Sequence, residues 1–84
     1  MTLRECLATE IRAAAEDQEI TIAELAQRAG THRVSLHRYL DATRSMPIET
    51  LERIASVLRL RGSELLARAE QREKLRGSIS PPGQ

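Results

Sequence analysis

The chain has 84 residues, 40% of them hydrophobic, and one tyrosine as its sole aromatic, which is material for a single small domain whose thin core leaves most side chains wet. One cysteine, Cys6, excludes an internal disulfide and offers no second thiolate to share a zinc ion, and no apolar run approaches the ~20 residues of a membrane span. The formal net charge of +1 excludes a uniformly basic or acidic chain, yet residues 1–27 carry net −4, residues 28–46 net +3 and residues 47–84 net +2, so an anionic partner is expected to meet the middle of the chain.

Taken in order, the elements are all helical. Leu3, Leu7, Ile11 and Ala14 recur at three- and four-residue intervals in a segment rich in Ala, Glu and Arg, which predicts an amphipathic helix over residues 3–17. Glu5 and Glu10 break the apolar core that a secretory signal needs, so a cytoplasmic location is expected. The stretch "ITIAEL" is a compact start signal: Thr21 caps the second helix, Glu24 returns the bond three residues later, and Ile20 packs on Leu25 as a staple. Gly30, which tolerates a left-handed backbone, stops that helix.

A third helix is expected over about residues 32–40. On its wheel Val34 falls with His37, Arg38 and Asp41, away from Leu36, Tyr39 and Leu40, leaving one valine on a basic surface. The polar loop "DATRS" leads to Pro47, which suits the first turn of a fourth helix with Ile48, Leu51, Ile54, Ala55 and Leu58 as its buried stripe. A fifth helix, about residues 62–74, carries Leu65, Leu66 and Ala69. The residues after Arg76, "GSISPPGQ", have too little apolar mass to fold, so a domain over 1–75 with a flexible, disordered C-terminal tail at 76–84 is expected. There is no internal repeat.

Function is concentrated in the second and third helices, "TIAELAQRAGTHRVSLHRYL". Two helices crossing steeply over a short turn need a small residue where their backbones approach, a permissive residue in the turn, and apolar residues to seal the joint. Ala26, Gly30 and the set Leu25, Ala29, Leu36 and Tyr39 meet these needs. With one helix before and "MPIETLERIASVLRLRGSELL" after, residues 3–66 resemble the helix-turn-helix of the lambda-repressor-like (Cro/CI, or XRE) family.

That resemblance implies an all-α, five-helix DNA-binding domain whose third helix enters the major groove by its N-terminal end while the second lies across the backbone. It assigns base reading to Arg33, Val34, His37 and Arg38, where the valine meets a thymine methyl group and an arginine takes guanine O6 and N7. It assigns phosphate binding to Thr21, Arg28 and His32, and to the loop residues Thr43, Arg44 and Ser45. Departures from the family pattern occur at His32 and Arg61, where Ser or Thr caps are usual, the latter leaving Glu64 without its partner, at Thr31, where an apolar turn residue is usual, and at Glu19 and Ala42, where glycine is common and altered turns are expected.

The implied activity is that of a sequence-specific, double-stranded DNA-binding transcription regulator, a small repressor of Cro-like or phage-immunity type. It is expected to pair as a homodimer through Leu65, Leu66 and Ala69, with Leu75 extending the contact. The alternative is an antitoxin or adaptor that uses the same fold to bind a protein. An enzyme is not expected: His32 and His37 lack the spacing of a helical metal pair, Cys6 has no nearby histidine in sequence, and no glycine-rich phosphate loop exists. No cofactor, metal, small-molecule ligand or membrane partner is implied.

Overall fold

Helix-forming runs broken by short turns give five helices, with no strand among the described residues: α1 (Leu3–Asp17), α2 (Ile22–Ala29), α3 (Arg33–Leu40), α4 (Ile48–Val57) and α5 (Gly62–Ile79). The computed structural model describes residues 2–41 and 45–79, with side chains to Leu75. Among them no helix is long and apolar enough to cross a membrane.

The starts of the helices follow local chemistry. Thr21 Oγ1 accepts the Glu24 amide at 3.1 Å, and the Glu24 carboxylate accepts the Thr21 amide at 3.2 Å, which is the box that "ITIAEL" predicts. Thr2 and Glu5 build the same box ahead of α1. At α5 the Arg61 side chain supplies no cap, but its amide donates to Glu64 Oε1 at 3.1 Å. Glu64 is therefore not left without a partner, because half of a capping box needs only the backbone of the capping residue.

The ends of α1, α2 and α4 share one geometry. Ile20 N–H donates to Ala15 O at 2.8 Å, Thr31 N–H to Ala26 O at 2.9 Å and Leu60 N–H to Ala55 O at 2.8 Å, each beside a residue of positive φ: Glu19 (57°), Gly30 (68°) and Arg59 (59°). The turn after α1 is thus not altered by the absence of glycine. The bonds that close it impose the left-handed backbone, and Glu19 adopts it at a conformational cost. Ala42, the corresponding expectation after α3, lies outside the described residues.

Packing draws one core from all five helices: Ala8, Ile11 and Ala15 of α1, Leu25, Ala26 and Ala29 of α2, Leu36 and Leu40 of α3, Leu51, Ile54, Ala55 and Leu58 around α4, and Leu65 of α5. On α1 the buried stripe is displaced from the expected one, with Leu7 and Ala14 at its edge, because α1 is wedged between α3 and α5. Ile48 corrects the expected α4 stripe: it is 74% exposed. It is the first residue of α4, and helical side chains lean toward the N-terminus, so its side chain overhangs the end of the helix instead of the core.

Two polar ties hold the ends of this core. Arg72 of α5 reaches Glu10 Oε1 of α1 with Nε at 2.9 Å and Nη2 at 2.8 Å, and Gln18 Nε2 donates to the Leu58 carbonyl at 2.7 Å. α5 also runs beyond the expected end at residue 74, to Ile79. The segment "QREKLR" consists of good helix formers that prolong an anchored helix, and over residues 71–75 only Arg72 is partly buried. The expected tail therefore loses residues 76–79 to the helix, and its remainder, 80–84, lies outside the described residues.

Candidate nucleic-acid interface

The joint between α2 and α3 is set by two small residues. Ala26 is buried where the helices meet, and Gly30 closes α2 in the left-handed region with its amide on Gln27 O at 3.2 Å. Leu25, Ala29 and Leu36 seal the joint from the core side. Tyr39, buried as well, lines a hollow with Leu3, Leu7 and Met46. With Leu36, Tyr39 and Leu40 turned inward, the opposite face of α3 must look outward.

That outward face carries the four residues assigned to base reading. Arg33, Val34, His37 and Arg38 are all exposed, and Val34 keeps 59% of its surface in the open. Spacings of three and four residues put Val34 beside His37 and Arg38, one helical turn apart. Among the described residues Arg33 forms no ion pair, and Asp41 is engaged by Arg12 of α1, at 3.1 Å. The surface is basic with one apolar centre.

Around the tip of α3 the structure adds two residues that the sequence reading passed over. Ala23 and Gln27, on α2, line a shallow groove with Gly30, Thr31, His32 and Arg33. Their four-residue spacing one helix upstream is the signal that could have found them. His32 is the N-cap of α3 in an extended backbone (φ −70°, ψ 137°) but makes no side-chain capping bond, and Thr31 does not take over that role.

The residues assigned to phosphate contact are only partly brought together. Thr21, Arg28 and His32 are exposed at the two ends of α2 and before α3. By helix geometry the amides of Ile22 and Ala23 have no acceptor inside α2, so the helix start retains donors for an anion even though Thr21 and Glu24 satisfy each other. Glu24 is held below its ordinary carboxylate range, first by the Thr21 amide and then by the Thr21 hydroxyl, with Arg28 adding a weaker pull from 3.7 Å. Thr43 and Arg44 lie outside the described residues, whereas Ser45 is exposed beside the Tyr39 hollow.

The residues assigned to oligomer contact divide. Leu65 and Ala69 are each 0% exposed, because they close the core against the rest of the chain and have no surface left to offer a second copy. Leu66 remains open, as do Leu75 and the unanticipated Ile48. Ile48 and Leu66 edge a second hollow whose walls include Glu52 and Arg61.

Residues 10–71 match the family model of the Cro/C1-type HTH (helix-turn-helix) DNA-binding domain. Among solved structures, the crystal structure of the clp gene regulator ClgR from Corynebacterium glutamicum is similar in fold, with a TM-score of 0.84 at 22% sequence identity, covering 93% of this chain and 83% of that one. No curated protein gives a significant match.

Proposed function

This chain belongs to the family of Cro/C1-type HTH DNA-binding domains, a family of DNA binders and not of enzymes, and from that premise we propose that it is a transcription regulator that reads operator DNA with α3. The N-terminal half of α3 enters the major groove, Arg33 and Arg38 address guanine edges, Val34 rests on a thymine methyl group, and His37 meets a base edge or a phosphate. Thr21, Arg28, His32, Thr43, Arg44 and Ser45 fix the register through phosphates, and Gln27 extends that contact along the groove beside Arg33. The observation that carries this reading is the open basic face of α3 around Val34: an apolar side chain is left 59% exposed at the point where the helix-turn-helix presents its tip.

In this reading the protein is a small repressor, acting by occupying DNA as a homodimer on a site of twofold symmetry. The exposed apolar residues Ile48 and Leu66 support a self-contact across α4 and α5, with Glu52 and Arg61 in the same hollow as opposite charges that a twofold axis brings face to face.

Selection of bound sequences from random duplexes, repeated with variants, tests the proposal. Arg33→Ala is expected to relax preference at one defined base pair, at about 1–3 kcal/mol, whereas Arg28→Ala is expected to weaken all sequences alike and to lower the salt dependence. Identical effects of the two substitutions across sequences would remove the division between reading and positioning.

A further inference from the structure

We propose that Arg12, on α1 and outside the helix-turn-helix, is a positioning residue of the DNA interface: it anchors and neutralises Asp41, the carboxylate at the end of α3 that otherwise repels the phosphate backbone. The inference rests on the reading above, in which α3 faces DNA.

Asp41 is an unexpected residue where it stands. It is the sole acid between residues 28 and 46, in the segment that carries the basic excess. It caps the C-terminus of α3, its amide bonded to His37 O at 2.8 Å, where the partial negative charge of the helix end disfavours a carboxylate. Three, four and seven residues separate it from Arg38, His37 and Val34, so it lies on the flank of the face that they form. Along the chain Thr43 and Arg44 follow it by two and three residues. At physiological ionic strength a bare charge is felt over about 8 Å, which covers phosphates gripped by neighbouring residues.

Arg12 answers that charge from across the fold. Its Nη2 donates to Asp41 Oδ1 at 3.1 Å, joining groups 29 residues apart. The other charged side chains facing the hollow beside Asp41 are Arg4 and Glu5, and Glu5 is already engaged by Thr2. The two side chains of the pair are 49% and 59% exposed, and ion pairs that wet contribute little to stability. The fold thus gives weak reason for the pair, and its electrostatic effect lies at the edge of the proposed interface.

The test is a double-mutant cycle on the full chain. Wild type, Arg12→Ala, Asp41→Asn and the double variant are titrated by fluorescence anisotropy against a duplex that the wild type selects from random DNA, and against a mixed-sequence duplex, over a salt series. Arg12→Ala is expected to bind both duplexes on the order of 3- to 10-fold more weakly at about 0.15 M salt, with the loss fading as salt rises. Asp41→Asn is expected to bind as well as wild type or more tightly, and the double variant to match Asp41→Asn. Asp41→Asn breaks the same bridge, so a merely structural pair weakens binding in both single variants and overturns the proposal. An equal loss on removing Arg12 in either background, with the salt slope reduced by about 0.9, makes Arg12 a direct phosphate contact and overturns it as well. Arg12→Ala binding like wild type leaves the pair idle and does the same. Wild type that binds neither duplex removes the DNA reading itself, an outcome distinct from all of these.

Discussion

Gly30 and Arg59 occupy nearly the same left-handed backbone, at φ 68° and 59°, and only one of them is glycine. A methyl group added at Gly30 meets nothing within 4 Å, so the need for glycine there is conformational and not steric. Gly30→Ala is expected to destabilise the domain by about 1 kcal/mol in urea denaturation. Arg59→Gly and Glu19→Gly are expected to stabilise it by about 0.5 kcal/mol each, the relief of strain being partly offset by the greater freedom of glycine in the unfolded chain. Equal loss at all three positions would contradict this account. Gly30 was legible because a glycine follows an apolar helix. Glu19 and Arg59 were not legible as left-handed positions, because only the bonds closing each turn force that backbone onto a residue that resists it.

At the scale of the element, helix starts were the most readable feature, since a capping box is written within four residues. Thr21→Ala is expected to cost about 1 kcal/mol of stability, measured by thermal melting. The box also has a pH signature. Glu24 is held below its ordinary value in the fold, so its stabilising contribution is complete above the unfolded value of about 4.5 and is lost as pH falls through the lower folded value. Glu24→Gln should therefore show its largest deficit relative to wild type in the neutral region, where it is constant, and lose that deficit below about pH 4.5, which flattens the acid limb of stability; an unchanged acid limb would contradict the assignment. The start of α3 is the opposite case. His32 has the backbone of an N-cap but makes no capping bond, so His32→Ser is expected to stabilise the domain by about 0.5–1 kcal/mol in the same melts. That a histidine stands there at a stability cost fits its proposed place beside the DNA backbone.

The whole molecule decides which apolar residues are spent on the core and which remain outside. Leu65 and Leu66 are adjacent in sequence, yet one is 0% and the other 36% exposed, because a helix turns neighbouring side chains about 100° apart and only one direction meets α1 and α4. Ile48 joins Leu66 on the open side. If that side seats a second copy, Ile48→Glu should lower self-association in analytical ultracentrifugation while leaving the melting temperature of the monomer intact. The residue is 74% exposed, and an acid at the first helical position is electrostatically favoured. A wild-type chain that stays monomeric both free and on paired half-sites would rule the surface out as a self-contact.

The sequence by itself determined the five helices, the tight turn at Gly30 and the outward set Arg33, Val34, His37 and Arg38, because periodicity, capping and turn chemistry act over a few residues and need no partner. Residues 10–71 match a family of the kind that those local patterns resemble. Only the tertiary structure decided that Asp41 belongs to Arg12, that Leu65 and Ala69 are core while Ile48 is surface, and that Gln27 shares a groove with Arg33. For Asp41, Leu65 and Ala69 the physical reason is common: burial and charge pairing depend on which helix arrives from a distant part of the chain, and no local pattern carries that address; Ile48 and Gln27 depend instead on how a helix end and a helix crossing are set in the fold.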